Sequence, residues 1–250
     1  MSEKNTAIGA NLPAWPDVDH RIFGEVEEQL VSKVQQLVGA FLHRNWLGIP
    51  HVTHNDDVDI TDVEGFRKGL SPKPSILPFL MKAMVEAMRE YPQFNASLSK
   101  DQSRLICKRY FNIGFAADTP NGLLVPVVKN VDGKSIAELS AEILDKSQRA
   151  REKGLPMSEM SGGGITVSAL GSIGGTSFTP IINAPEVAIL GATKAVWKPT
   201  RGEGGEIEWR YMLPLSLSYD HRVINGADAA RFLSYLGKII ADPKYYNNWS

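Results

Sequence analysis

The sequence predicts a single α+β domain built around a mixed β-sheet. Apolar residues recur at helical spacing in several segments, and short runs rich in β-branched residues lie between those segments. No internal repeat, heptad run or low-complexity stretch interrupts this mixture. With 250 residues, of which 43% are hydrophobic, the chain is long enough to bury one substantial core. Helices and strands intermixed around one core are typical of the α+β class.

The first part of the chain, residues 1–24, predicts an extended arm, and residues 25–250 predict the folded domain. The arm contains glycine and proline and has neither a helical nor an alternating apolar pattern. Isolated large apolar side chains on such a segment gain free energy when another surface covers them. We therefore expect the arm to lie on a larger body through Trp15, Ile22 and Phe23.

The first predicted helix begins at a capping box formed by Ser32 and Gln35. It ends at Ile49-Pro50, because proline cannot continue a helix. Its apolar residues fall on one stripe at a spacing of 3.6 residues. The stripe comprises Leu30, Val31, Val34, Leu37, Val38, Phe41 and Leu42.

Two shorter helices are predicted next. Thr61 and Glu64 have the spacing of another capping box, which predicts a helix that ends near Gly69. A third helix is predicted over residues 76–89. Tyr91-Pro92 closes it, since a residue that precedes proline is disfavoured in the helical conformation.

Two longer helices complete the helical set. Ser135 and Glu138 form a capping box for a helix that ends at Gly154. Its predicted inward side chains are Ile136, Leu139, Ile143 and Leu144. The last helix is predicted over residues 227–241. Its predicted inward side chains are Phe232, Leu233, Leu236, Ile239 and Ile240.

Short β-rich runs predict the strands of the sheet. A turn signal, Thr-Pro-Asn-Gly at residues 119–122, joins two of them, and the glycine-rich residues 201–205 predict a hairpin tip. A half-buried strand alternates apolar and polar residues and runs directly into Asp220. The predicted strands cover residues 108–117, 123–128, 165–167, 187–190 and 215–219.

Composition excludes several classes of function. Twenty-seven basic and 28 acidic residues give a formal charge of −1, so there is no basic excess for binding nucleic acid. One cysteine cannot close a disulfide within the chain or supply a cysteine-based zinc site. No apolar run has the length of a membrane span, and the start lacks the pattern of a signal peptide. We therefore expect a cytosolic protein that contacts neither nucleic acid nor membrane.

Three apparent motifs have simpler explanations. Gly133-Lys134-Ser135 precedes a helix, but a phosphate-binding loop would need glycine where Val128 stands. His51 and His54 lie in an acidic, extended stretch that directs them to opposite faces, so we interpret it as a solvated strand edge and predict no metal site. Cys107 has no adjacent base, which favours a small buried side chain over a nucleophile.

His221 is the strongest candidate for catalysis. It stands where a strand ends and a helix is about to begin, so rigid elements hold it while its ring points out of the sheet edge. An imidazole titrates near neutral pH and can accept a proton from a thiol, whose pKa is about 8.5. Asn225 is either a turn former ahead of Gly226 or a polar group that positions a neighbouring side chain.

The segment DHRVINGADAARF resembles the active-site signature of the dihydrolipoamide acyltransferases, the core components of the 2-oxo acid dehydrogenase complexes. Three further blocks resemble that family's catalytic domain in the same order: HRNWLGIPHVTHNDDVDITDVEGFR, NIGFAADTPNGLLVPVVKN and ITVSALGSIGGTSFTPIINAPEVAILG. The likeness is greatest to the acetyltransferase components of bacterial pyruvate dehydrogenase complexes. It implies a two-layer fold like that of chloramphenicol acetyltransferase, assembled as a trimer in the bacterial cytoplasm.

The resemblance also implies roles for three residues. His221 matches the base that takes the proton from the thiol of coenzyme A or dihydrolipoamide, and the thiolate then attacks the acyl thioester directly. Ser168 matches the hydroxyl that stabilises the oxyanion of the tetrahedral intermediate. Asn225 stands where most family members have Asp, so its positioning role would depend on hydrogen bonds alone.

In that family the active site lies in a channel between subunits of the trimer. The resemblance therefore implies that His221 and Ser168 come from neighbouring chains, with coenzyme A and the lipoyl arm entering from opposite ends. Arg44 matches a position near the nucleotide end of coenzyme A. The wall along its pantetheine arm matches Gly174, Gly175, Phe178 and Thr179.

The family's other partners are a lipoyl domain, a decarboxylase and a dihydrolipoamide dehydrogenase. Neither a lipoyl domain nor a mobile linker is present in the sequence, so we expect a catalytic fragment of a longer protein. Tyr245, Tyr246 and Trp249 are interpreted as apolar plugs between trimers, and the number of trimers per particle is left open.

Three alternatives remain open at this point: a structural core subunit without catalysis, the acetyltransferase of an acetoin dehydrogenase complex, and an acetyltransferase for a small hydroxyl compound. Retention of His221 and Ser168 argues against the first, because a scaffold needs only packing surfaces. The acyl group is not defined, since a pocket discriminates by only about 1 to 3 kcal/mol per methylene.

Overall fold

The structure, a computed structural model, describes residues 14–120 and 122–249, with side chains as far as residue 246. Within these residues the helices are α1 Lys33–Gly48, α2 Thr61–Lys68, α3 Leu77–Glu90, α4 Ile136–Lys153 and α5 Gly226–Ala241. The first strands are β1 His51–Asp59, β2 Ala96–Leu98, β3 Leu105–Cys107, β4 Ile113–Phe115 and β5 Ala117–Thr119. The later ones are β6 Gly122–Leu124, β7 Val127–Val128, β8 Ile165–Ala169, β9 Ala188–Ala192, β10 Val196–Arg201 and β11 Ile207–Asp220.

The main sheet is mixed, as predicted. Its strand order is β1-β11-β9-β8-β4-β7, and β10 pairs with β11 beyond the end of β9. The pairs β4·β8 and β8·β9 are parallel, whereas β1·β11, β9·β11 and β4·β7 are antiparallel. The predicted turn at residues 119–122 joins β5 and β6 as a small separate hairpin, and residues 201–205 lie at the tip of β10–β11.

The two faces of this sheet differ in chemistry. Side chains alternate along a strand, and directly paired residues share a face. One face carries Leu213, Leu215, Leu217 and Tyr219, which pack with α3, α4 and α5 in the main core. The other face, called the polar face below, is rich in hydroxyl groups and small residues. It carries Thr166, Ser168, Gly191, Ser216 and Ser218.

Local signals explain where most helices begin. Ser32 and Gln35 form the predicted capping box of α1, and Ser135 and Glu138 form that of α4. The predicted box of α2 is wrong, because Ile60 is its N-cap residue and no side chain caps it. The Thr61 hydroxyl donates to Asp59 Oδ1, and the Glu64 carboxylate turns to Arg67 one turn further along the helix.

Three predictions of burial are wrong. Cys107 is exposed, because the small β2–β3 sheet lies outside the main sheet. Leu144 is 69% exposed and lines an open apolar cavity of about 400 Å³, while Ile136, Leu139 and Ile143 are buried as predicted. Tyr246 is not an external plug: it is fully buried in the core of its own chain, where its hydroxyl donates to the Phe79 carbonyl at 3.3 Å. Tyr245 packs against the same core, and the side chain of Trp249 lies outside the described residues.

The described part of the amino-terminal arm, residues 14–24, is exposed throughout. Trp15, Ile22 and Phe23 are 92%, 72% and 77% exposed, so the expected contact with the body is not made within one chain. The apolar stripe of α1 is also largely exposed, with Leu37 at 56% and Phe41 at 46%. Among the described residues, no helix is both long and apolar enough to cross a membrane.

Candidate active site

His221 follows the end of β11 directly, at the predicted position. Its backbone N–H donates to the Pro50 carbonyl at 3.1 Å, and the Asp220 N–H donates to the Val187 carbonyl at 2.8 Å. The ring is exposed and lies beside that of Tyr219, with 5.9 Å between centroids. A rigid backbone therefore presents an accessible imidazole.

The residues on either side of His221 are joined by an ion pair. The Asp220 carboxylate is 2% exposed and accepts hydrogen bonds from Arg222 Nε at 2.9 Å and from a terminal guanidinium nitrogen at 2.6 Å. It also accepts from the Arg222 backbone N–H at 3.0 Å. This pairing raises the pKa of Arg222 and balances the buried negative charge. It fixes the turn that carries His221.

Asn225 is the N-cap residue of α5. Its Oδ1 accepts from the Asp228 backbone N–H at 2.9 Å, and its Nδ2 donates to Asp228 Oδ2 at 2.8 Å. Both polar groups of its side chain are therefore used by the helix that follows the His221 turn.

Ser168 lies on β8, partly exposed on the polar face. It pairs with Gly191, which pairs in turn with Ser216 on β11. His221 lies five residues beyond Ser216, which corresponds to about 17 Å along a strand, and it is also two strands away from Ser168. One chain therefore does not bring the Ser168 hydroxyl and the His221 ring together.

The loop of residues 170–187 covers part of the polar face. Gly174 and Gly175 have φ angles of 141° and 91°, a region that favours glycine. Phe178 packs directly on Gly191, where a Cβ atom would lie 2.7 Å from the ring, so glycine at 191 permits this contact. Thr179 is exposed beside Phe178. The loop thus presents an aromatic ring and a hydroxyl on the face that carries Ser168.

Arg44 lies near the end of α1 and is exposed. Its Nε and one terminal nitrogen donate to Asn45 Oδ1 at 3.1 and 2.8 Å, and its guanidinium lies 5.2 Å from the centroid of the Phe41 ring. Its charge is free to meet an anionic group, since none of the ion pairs described includes it.

Sequence reasoning missed a buried carboxyl group at Glu186. It is 4% exposed, and the Thr166 hydroxyl donates to it at 2.7 Å on the polar face. Burial raises the pKa of Glu186 to about 7, against the opposing effects of Thr166, Lys108 and Asn183. An acidic residue among the apolar residues of Asn-Ala-Pro-Glu-Val-Ala-Ile-Leu was the signal that could have identified it.

The stretch interpreted as a solvated strand edge is an edge strand, β1, but His51 within it is partly buried. Both of its ring nitrogens make hydrogen bonds, to the Ile49 carbonyl and with the Ile182 N–H. Within the described residues, no group of three His, Cys, Asp or Glu side chains has the geometry of a metal site.

Residues 23–246 match the sequence model of the family described as 2-oxoacid dehydrogenases acyltransferase (catalytic domain). The chain belongs to this acyltransferase family. Chloramphenicol acetyltransferase, with a TM-score of 0.55 at 17% identity over 84% of this chain and 95% of its own, shares the fold. The predicted two-layer architecture is thereby confirmed.

Two relatives within the acyltransferase family are dihydrolipoyllysine-residue acetyltransferase components of pyruvate dehydrogenase complex. The one from Haemophilus influenzae is 53% identical over 94% of this chain and 43% of its own length. The one from Pseudomonas aeruginosa is 52% identical over 94% of this chain and 44% of its own length. The chain therefore spans less than half the length of these relatives.

A solved acyltransferase structure matches this chain closely. It is the dihydrolipoamide acetyltransferase of Azotobacter vinelandii, with a TM-score of 0.91 and 48% identity over 94% of this chain and all of the other. That structure was determined to investigate a serine, a histidine and an asparagine in the catalytic mechanism of that enzyme. Its histidine and asparagine are four residues apart, as His221 and Asn225 are here.

Proposed function

We propose that the chain is the acyltransferase domain of a bacterial pyruvate dehydrogenase complex and transfers an acetyl group between a dihydrolipoyl group and coenzyme A. The names of relatives that are 50% or more identical favour pyruvate over acetoin as the source of the acyl group. The observation that carries the proposal is the exposed imidazole of His221 on a fixed turn, distant from Ser168 of the same chain.

The reaction follows from the chemistry of these two side chains. Neutral His221 takes the proton from the attacking thiol, and the thiolate adds to the carbonyl carbon of the thioester. The carbonyl π electrons move to oxygen, and the Ser168 hydroxyl donates a hydrogen bond to that oxyanion. The intermediate then collapses, the other sulfur leaves, and the imidazolium returns its proton to it. No covalent bond to the protein forms.

The separation of the two side chains supports a site between copies. Ser168 of one chain would face His221 of a neighbour, and each copy in a closed trimer would contribute to two sites. The exposed apolar stripe of α1 supports such assembly, since Leu37 and Phe41 are only about half covered by their own chain.

The loop that covers the polar face would form the wall along the pantetheine arm of coenzyme A. Gly174 and Gly175 allow a close approach of the backbone, while Phe178 and Thr179 offer an apolar surface and a hydroxyl. Arg44 would meet the phosphates at the nucleotide end, because its guanidinium is exposed and positively charged.

The proposed partners follow from the same assignment. They are a lipoyl domain, a decarboxylase and a dihydrolipoamide dehydrogenase, assembled around a core of trimers in the cytoplasm. One matched structure of A. vinelandii is that of the cubic core of a pyruvate dehydrogenase multienzyme complex, which supports a multimeric core here.

Mixed trimers test both the chemistry and the shared site. We expect His221→Ala and Ser168→Ala homotrimers to lose at least about 100-fold in kcat. When the two variants are co-expressed and assemble at random, about one quarter of the sites combine an intact serine with an intact histidine, and that fraction of activity returns. The assay measures acetyl transfer from acetyl-coenzyme A to dihydrolipoamide, beside a panel of small alcohols.

The control is a chain that carries both substitutions, co-expressed with His221→Ala, which restores no site. Near-normal turnover of His221→Ala would overturn the role of the base. No recovery in the mixed trimers would overturn the shared site. Faster transfer to alcohols than to dihydrolipoamide would overturn the substrate assignment.

A further inference from the structure

The loop that carries Phe178 and Thr179 has few hydrogen bonds to the sheet along most of its length, although the Phe178 ring packs on Gly191. Among the described hydrogen bonds, its main chain between residues 175 and 181 accepts one from Thr193 Oγ1 to Thr176 O at 3.3 Å. It donates one from Phe178 N to Ser216 Oγ at 3.4 Å. Both bonds are long for their type. The position of the main chain therefore depends largely on a further anchor.

Ile182 provides that anchor, three residues after Thr179. Its side chain is fully buried in a small cluster with Ile49 and Ile189. Its backbone N–H donates to His51 Nε2 at 3.0 Å, and its carbonyl accepts from Asn45 Nδ2 at 2.9 Å. The side chain, donor and acceptor of Ile182 are thus all held by other parts of the chain.

His51 can accept this bond only in one tautomer. Its Nδ1 lies 2.8 Å from the Ile49 carbonyl and donates to it, which leaves Nε2 without a hydrogen and free to accept from Ile182. The ring also lies 5.4 Å from that of Trp46. The neighbouring Pro50 carbonyl accepts from the His221 N–H, so the base and the loop are both attached to residues 49–51.

Asn45 also contacts Arg44, which lies outside the loop. Its Nδ2 holds the Ile182 carbonyl, while its Oδ1 accepts two hydrogen bonds from the Arg44 guanidinium. Asn45 is 4% exposed and its bond to the Ile182 carbonyl is buried, whereas its bonds to Arg44 are partly buried. One amide group therefore links the orientation of Arg44 to the position of Ile182.

We propose that His51 and Asn45 are positioning residues for coenzyme A, which hold the loop of residues 174–182 as one wall of its channel and align Arg44 with that wall. The inference depends on the proposed function, because it takes this loop and Arg44 as the surface that binds coenzyme A. Neither residue touches the reacting atoms. Their loss should weaken coenzyme A binding and leave the chemical step largely intact.

Four variants separate positioning from a general structural role. His51→Phe keeps a ring but leaves the Ile182 N–H without an acceptor, whereas His51→Gln restores an oxygen close to the position of Nε2. Asn45→Asp keeps acceptors for Arg44 but has no donor for the Ile182 carbonyl. His54→Phe is the matched control: it lies on the same strand but on the opposite face of the sheet.

Calorimetry of each assembled variant with coenzyme A gives a Kd that does not depend on turnover. We expect His51→Phe and Asn45→Asp to raise this Kd and the KM for coenzyme A about tenfold, with kcat within about threefold of the parent. The Kd of His51→Gln should return to within about threefold, and that of His54→Phe should not change. The KM for dihydrolipoamide should stay constant, since it enters from the other end.

An unchanged Kd in both His51→Phe and Asn45→Asp would overturn the inference. Equal losses for both thiol substrates, or equal effects of His51→Phe and His54→Phe, would overturn it as well by indicating general damage. If His51→Phe does not assemble, Asn45→Asp decides by the same criteria. A parent protein that binds coenzyme A but transfers no acetyl group would refute the proposed function and leave the binding test intact.

Discussion

Glu186 is a buried acidic residue on the polar face, where an ordinary sheet surface would expose such a group to solvent. Its carboxyl group is enclosed beside Thr166, and Lys108 faces it while donating to the Ala96 and Gly163 carbonyls. Burial disfavours charge on both partners, raising the pKa of Glu186 and lowering that of Lys108. Thr166, which donates to Glu186, lies two residues before Ser168 on β8, so the pair borders the strand that carries the proposed oxyanion donor.

The raised pKa of Glu186 predicts a pH-dependent stability. Between the ordinary value of 4.5 and about 7, the folded chain keeps a proton that the unfolded chain releases. The free energy of unfolding should therefore fall as the pH rises through this window, with the contribution complete below 4.5 and lost above about 7. Glu186→Gln cannot ionise and should flatten this part of the profile. Urea unfolding of both proteins at pH values from about 5 to 8 measures it, and parallel profiles would contradict the assignment.

Among the elements, α5 and β11 have the most direct effect on the site. The strand ends at Asp220, the helix begins at Gly226, and the His221 turn is confined between them. Asn225 satisfies the first turn of α5 through Asp228. The element boundary and the candidate base are thus fixed by the same short segment.

Loss of the cap at Asn225 should destabilise α5 measurably. Asn225→Ala removes the acceptor for the Asp228 N–H and should lower the free energy of unfolding by about 1 kcal/mol. Asn225→Ser keeps an acceptor at the same position and should cost less than half of that. Urea unfolding at one fixed chain concentration compares them, because assembly would make stability depend on concentration. Equal losses in the two variants would mean that capping is not what Asn225 contributes.

The elements also show which parts of the fold were predictable from sequence. The starts of α1 and α4 follow from residues three apart, so Ser32 and Ser135 were assigned correctly. The capping box of α2 failed because Thr61 lies within the helix and donates to Asp59, while Glu64 pairs with Arg67; the spacing of Thr61 and Glu64 does not reveal these partners. The order of the strands could not be predicted from the sequence. For example, β4 pairs with β8 about fifty residues further along the chain, and no local pattern specifies that pairing.

The candidate site also has some parts that the sequence predicts and others that it does not. The position of His221 at the end of a strand was predictable, because an alternating pattern runs directly into it. The contacts of Ile182 were not predictable. Its partners His51 and Asn45 lie 131 and 137 positions earlier in the chain. Periodicity predicted the stripe of α1 correctly but does not say whether that stripe faces the core of its own chain or a neighbour.

For the whole molecule, the exposed stripe of α1 predicts an assembly surface. The double variant Leu37→Glu, Phe41→Glu places two charges on this stripe and should convert the proposed trimer to monomers. Helix content should hardly change, because the stripe is not part of either hydrophobic core. Light scattering measures the mass, and far-UV circular dichroism checks the fold. Met157→Glu, at a side chain that is 68% exposed elsewhere, is the control. A double variant that keeps the parent mass would contradict the prediction.

The exposed stripe of α1 also affects how the protein behaves before it assembles. Under the proposed assembly, a newly translated chain exposes this apolar stripe until other copies bind to it. Exposed apolar surface of this kind binds chaperones and promotes aggregation. Yield during overproduction should therefore depend on how quickly subunits meet. Slower synthesis at low temperature, or extra chaperone, should rescue material that rapid synthesis loses to inclusion bodies.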